Sequence, residues 1–440
     1  MTSVILGDWT HRRGDPGGAR AIPAEIDRPR PGVAWSWRPE HGGRVDQVRV
    51  VGHTVIVATM APPDPTAPGW EHAIVYALDA ATGIEVARRV LPDPVPVAAL
   101  VVDAGLAHVV ATRKGEPIFW YALTLDLVPR HRRIVALAGE IQHDDVLDAW
   151  AAPDGGLWLE LDAAVGAEGK RVLAYAFADP TGTSPAPCAY EDRLSVEVPA
   201  VARDACAGGH ELFAPVDGRW AGSDPPTPPT LSRLDPRAQA EERRNEEAAW
   251  ACATLVGPQA RIHAVGGGGA VCAVASAEDP EKPQRVRVEA FAVDRTSGVV
   301  RWRAQGDRVA LRPPLGELAR VVRRPNGEIL FQGLGVDGTP CTPLVCARPD
   351  GRLDTILLGA RGRYVLDAAL GDTVLVHREN KSGAVEVGGF AVDTEGRLLG
   401  RRAVARWTID AGDLGGGATV YAGAGAIVVR GARALSAVRL

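Results

Sequence analysis

Lysine is nearly missing from this chain: of 49 basic residues only Lys114, Lys170, Lys282 and Lys381 are lysine, and the rest are arginine. That bias reads as genomic composition rather than as a selected phosphate or carboxylate site. A surplus of positive charge is also missing. The formal net charge of -5 removes the basic face that electrostatic binding to nucleic acid requires. No window is long and apolar enough to span a bilayer, and Met1–Arg20 has no apolar core of secretory-signal length. Neither a membrane partner nor export is therefore expected. Cysteine is sparse: Cys188, Cys206, Cys252, Cys272, Cys341 and Cys346 include no CxxC pair, which weakens zinc and thioredoxin-type readings. Reduced, buried thiols in a cytoplasmic protein are the expectation. Helical periodicity is almost absent. Its one candidate, Pro236 to Ala249, also reads as a charged loop.

Punctuation, by contrast, is abundant. The 50 glycines and 34 prolines are spread along all 440 residues, the pattern of many short strands joined by many turns. Overlaying the chain on itself exposes a repeat. Its best copy is AIVYALDAATGIEVARR (Ala73 to Arg89): an apolar strand, Asp79, a small-residue turn ending at Gly83, and a second strand. It returns as VEAFAVDRTSGVVRWR from Val288, with Asp294, Gly298 and Trp302, and as VGGFAVDTEGRLLGRR from Val387. Weaker copies surround Asp179, Asp235 and Asp350, and WYALTLDLVPRHRRI from Trp120 keeps the strand but loses the glycine. In each copy Asp can bond the turn backbone, and Gly accepts the positive φ of the reversal.

A further apolar hairpin precedes the clearest copies, giving four strands about every 45 to 55 residues, the signature of propeller blades. Thr54–Ala58 is apolar at successive positions, as expected of strands covered on both faces. The chain ends on three strands lacking a fourth, and Gly32–Glu40, GVAWSWRPE, supplies an orphan strand near the start. Pairing these would remove exposed sheet edges.

The expected fold is all-β: a single eight-bladed β-propeller of four-stranded antiparallel sheets, its last blade closed by the N-terminal strand, with seven blades as the alternative. Residues 1–31 read as an extended arm and 32–440 as the propeller, with insertions near 61–72 and 221–247.

The pattern Ala-x-Asp-x-x-Thr-Gly followed by a Trp-bearing strand, carried by Ala77–Gly83 and Ala292–Trp302, resembles the repeat of quinoprotein-type (PQQ-like repeat) β-propellers. The quinone-dependent enzymes of that superfamily carry adjacent cysteines, calcium-ligating side chains and a catalytic Asp. This chain has no Cys-Cys pair, and none of those residues maps onto it, so the resemblance implies the cofactor-free branch, with no cofactor and no metal. Cofactor-free relatives include an outer-membrane assembly lipoprotein, whose lipobox cysteine has no counterpart near Met1.

Trp70 and His72 in the first insertion and Trp220 before the second are the candidate partner-binding residues, because loops on rigid scaffolds carry binding surfaces and exposed Trp anchors interfaces. Trp35, Trp37 and Trp302 read as packing anchors. Ile141–Asp145 reads as a solvated turn between blades, His377–Lys381 as a charged hairpin tip, and Gly266–Gly269 as a turn rather than a phosphate cradle, since a strand follows it. The functional expectation is a non-catalytic cytoplasmic scaffold that binds a protein partner within a larger assembly. The alternatives are an enzyme with a central-channel site (a quinone-dependent dehydrogenase, or a metal-assisted hydrolase or lyase) and a small-ligand sensor.

Overall fold

A computed structural model describes residues 21–22, 33–40, 42–61, 72–114, 116–136, 142–151, 156–165, 168–176, 188–189, 196–198, 206–208, 211–216, 230–234, 250–257, 260–267, 270–278, 286–306, 318–324, 326–333, 344–356, 364–379, 384–391, 405–409, 414, 418–423 and 425–439. Eight sheets follow one another along the chain. Seven are built on consecutive antiparallel meanders, spanning 44–90, 97–136, 142–198, 206–253, 261–306, 318–356 and 365–409, with Cys188–Ala189 added parallel to the fourth strand of the second and Ala21–Ile22 parallel to the first strand of the seventh. The eighth combines 419–439 with Trp35–Trp37, which pairs antiparallel with Leu435–Ala437.

The first strand of each sheet lies against the first strand of the next, and that of the eighth lies against that of the first, Arg44–Val51. Apolar clusters fill the gaps between sheets. One joins sheets one and two, others join four with five, five with six and six with seven, and the largest joins seven, eight and one. The inner strands are therefore covered on both faces, which is why Thr54–Met60 is buried at six successive positions, whereas the fourth strand Glu85–Val90 stays largely exposed. Alternating polarity would have left half of Thr54–Met60 facing water.

The Asp–Gly turns join third to fourth strands. Asp79 Oδ1 accepts the Ala81 and Thr82 amides at 3.1 and 2.8 Å and the Thr82 hydroxyl at 2.6 Å. Asp294 does the same for Thr296 and Ser297. These bonds hold both carboxyl groups below their ordinary range, Thr82 leading at Asp79 and the Arg301 guanidinium at Asp294. Gly83 and Gly298 have φ of +72° and +70°.

Both glycines carry a second requirement. A Cβ on Gly83 would lie 2.6 Å from the indole of Trp35, and one on Gly298 would lie 2.6 Å from that of Trp250. Each indole comes from the last strand of the preceding sheet, and each donates its N–H into the turn, Trp35 to Ala80 O at 2.9 Å and Trp250 to Arg295 O at 3.0 Å. Tryptophan of one sheet thus seats on the glycine turn of the next. Trp35 does so across the junction between the two ends of the chain.

Two segments differ from what their sequence suggests. Gln142–Ala151 is a strand, not a turn between blades. His377 and Arg378 lie inside the strand Thr373–Glu379 rather than at a hairpin tip, and His377 is buried with its Nδ1 2.7 Å from Asp367 Oδ2. Hydrogen bonding to a buried partner outweighed local charge there. Within 221–247, Thr230–Leu234 forms the third strand of the fourth sheet. The helix candidate 236–249 lies outside the described residues, as do 268–269 of the glycine run.

Candidate functional site

In a four-stranded meander, the links between sheets emerge on the same face as the turns between second and third strands. On that face the link Thr254–Gly257, between sheets four and five, borders a cleft of about 400 Å³ lined by Leu255, Val256, Arg287, Val288, Gln305 and Gly306. Leu255 is a large apolar side chain left 64% exposed, so it meets whatever enters the cleft.

The link is held from beneath. Glu289 is fully buried in the third strand of the fifth sheet, and its Oε2 accepts the Leu255 amide at 2.7 Å. Its other oxygen pairs with Arg303 of the fourth strand, whose Nη2 donates to Ala253 O at 3.1 Å. The Arg303 guanidinium also lies over the Phe291 ring, 5.2 Å from its centroid. A buried carboxylate is costly unless it is paired and hydrogen-bonded, and here both oxygens are engaged. The charge pair therefore fixes the link's backbone and with it the position of Leu255. Beside it, burial pushes the Cys252 thiol up.

Such a cleft suits contact with an apolar side chain flanked by polar groups. Its lining offers no nucleophile and no general acid–base pair. Among the described residues, no three His, Cys, Asp or Glu side chains gather as a metal would require.

The residues singled out from sequence lie elsewhere. Trp70 and Trp220 fall outside the described residues. His72 is half-buried at the base of the first insertion, where the Ala61 amide donates to its carbonyl at 2.9 Å. It shares the face of the cleft but belongs to sheet one, so the two do not form one site. Leu255, Glu289 and Arg303 were passed over, although the sequence carries a signal: Glu289 is a lone acid in the otherwise apolar run VEAFAV.

A second buried polar group occupies sheet two. Trp120 Nε1 donates to His108 Nδ1 at 3.1 Å, and the His131 ring meets the indole edge-on at 5.1 Å. Burial pushes His108 down to about 4, and burial with the nearby Arg133 charge does the same to His131. Both imidazoles are therefore neutral near pH 7 and serve packing.

No protein-family profile matches this chain, and no curated protein matches it in sequence. Among solved structures it is similar to BamB from Moraxella catarrhalis, with a TM-score of 0.52 at 12% identity, covering 93% of this chain and 97% of that one. It is also similar to quinohemoprotein alcohol dehydrogenase from Comamonas testosteroni, with a TM-score of 0.49 at 12% identity over 98% of this chain and 80% of that one. The first likeness, with the topology above, defines the class: this chain is a β-propeller. The likeness in fold agrees with the resemblance of the Asp–Gly repeat to quinoprotein-type propellers. At such identity the likeness carries the fold and nothing of either neighbour's activity.

Proposed function

We propose that this protein is an eight-bladed β-propeller acting as a non-catalytic scaffold, and that it binds a protein partner at the cleft between its fourth and fifth blades. The eight sheets are the blades, and Trp35–Trp37 completes the last. The observation that carries the binding reading is Leu255: an exposed apolar side chain on a link whose amide is clamped to a buried carboxylate. Preorganised apolar anchors bordered by polar groups are the usual centres of binding energy, because little ordering entropy remains to be lost on association.

The partner presents an apolar side chain to Leu255 and Val256, with hydrogen-bonding groups toward Gln305 and Arg287. The protein works in the cytoplasm. Supporting that placement, Cys252, Cys272 and Cys346 are buried free thiols, and burial pushes Cys346 up to about 12.

The test is parallel affinity capture from the source lysate with the native protein and the Leu255→Glu variant. A partner bound directly by the native protein and weakened about tenfold or more by the variant, with folding unchanged, supports the proposal. Equal recovery by both proteins rejects the cleft as the site.

A further inference from the structure

Two residues of the N-terminal arm make a contact that the scaffold reading leaves unused. Ala21–Ile22 adds to the seventh sheet as a parallel strand, with Ala21 opposite Ala369 and Ile22 opposite Leu370. The strand it joins, Val365–Leu370, is the first of its sheet and lies against the first strands of sheets six and eight. Ala21–Ile22 therefore occupies the edge that faces inward. In an eight-bladed ring that edge lines the central channel.

The chain directions agree with this placement. First strands descend from the linking face to the turn face, so a parallel neighbour also descends. Strands then alternate, so the fourth strand of sheet eight, Trp35–Trp37, rises from the turn face.

The edge is also shaped to take a visitor. The ladder between Val365–Leu370 and its neighbour slips between Leu366 and Ala368, leaving Asp367 as the bulged residue. Asp367 is buried against His377, which turns it away from the channel edge. Small residues follow, Ala368 and Ala369, which permit close backbone approach. The next residue in the sequence, Pro23, has no N–H with which to extend a ladder. Among the described residues, no other first strand has a neighbour on its inner edge.

We propose that the inner edge of blade seven is a docking site for an extended peptide running parallel to Val365–Leu370, and that the chain's own arm holds that site. An unpaired edge recruits extended segments by main-chain hydrogen bonds, so a partner's strand can enter only as Ala21–Ile22 leaves. The arm is then a built-in competitor that keeps the channel closed to other extended segments. This inference rests on the propeller reading and is independent of the cleft.

Hydrogen exchange on the full-length protein tests it, comparing the native chain with the double variant Ala21→Pro/Ile22→Pro. Proline removes the donors on the arm and touches no ladder within the eight sheets. Exchange around Ala369–Leu370 is expected to rise about tenfold in the variant, the other first strands staying as they were. A synthetic peptide of residues 17–26 added to the variant should restore the protection, and a scrambled peptide should not. A chain beginning at Gly32 serves as a second variant. Unchanged exchange, a rise spread over all sheets, or failure of the peptide to restore protection each overturns the proposal. Protection of Trp35–Trp37 and Leu435–Ala437 in the native protein reports separately on the ring: its absence condemns the propeller reading rather than the docking site.

Discussion

The turns of sheets one and five differ from that of sheet two, which is one residue shorter and has Thr124 where they have Asp79 and Asp294, and the difference at the left-handed position shows what the repeat is for. In sheets one and five the left-handed position is Gly83 or Gly298, and an indole from the preceding sheet fills the space where a Cβ would stand. In sheet two the same role falls to Leu127, a non-glycine residue at φ +61°. The last strand of sheet one, Glu85–Val90, contains no tryptophan to send across. Leu127 instead buries its own side chain in the cluster between sheets one and two. The glycine is thus as much a socket for the neighbouring sheet as a hinge for its own. Where the incoming indole is lost, a large side chain compensates, at the cost of a strained backbone.

Emptying a socket should have the largest effect. Trp35→Ala is expected to remove about 3 to 5 kcal/mol of stability, seen as a lower urea midpoint, and to loosen sheets one and eight together. Loosening of sheet eight alone would break the comparison.

Acid should single out sheet two. Its two histidines sit at about 4 in the folded protein against an ordinary 6.5, so the unfolded chain takes up protons first as pH falls. Their contribution is complete above about pH 6.5 and is lost progressively toward about pH 4, amounting to on the order of 3 kcal/mol for the more deeply buried His108. Hydrogen exchange near pH 4.5 should open sheet two before sheets one and five. His108→Gln should flatten the dependence, and equal opening of all three sheets would contradict it.

Filling a socket comes next. Gly298→Ala combines a positive φ with a Cβ driven into Trp250 and should cost about 2 kcal/mol or more. Adding Trp250→Ala should then cost less than the sum of the two single changes, because both act on one contact.

The smallest effect inverts the usual order of side-chain size. Leu127→Gly should be less destabilising than Leu127→Ala by about 1 kcal/mol, since both lose the buried side chain but only glycine relieves the left-handed backbone. A glycine variant weaker than the alanine variant would remove strain from the explanation.

Much of this architecture was legible in the sequence because it rests on local signals. Unbroken apolar strands such as Thr54–Met60 announce burial on both faces, and Asp79 and Gly83 announce a turn. The orphan strand GVAWSWRPE could be matched to the last strands because an unpaired edge is a physical problem with few solutions. The candidate site was not legible. Leu255 looks like any loop residue until the amide clamp of Glu289 is seen, and that clamp joins residues of different sheets. His377 misled for the same reason: flanking charges suggested solvent, whereas Asp367, ten residues earlier, supplied a buried partner. Trp70 and Trp220 follow from the rule that exposed loop tryptophans anchor partners, a rule that locates candidates without saying which of them a rigid support backs.

The central claim is that Trp35–Trp37 and the last strands share one sheet, which on the eight-bladed reading proposed above latches the ring. Ser36 and Ser436 stand opposite each other in that sheet with their hydroxyl oxygens 3.0 Å apart. Replacing both by cysteine and oxidising the folded protein tests the latch, since cross-strand neighbours at this spacing can form a disulfide. The account predicts near-complete cross-linking by mass spectrometry, with a higher unfolding midpoint than the reduced protein. A folded protein in which those two thiols stay free would contradict it.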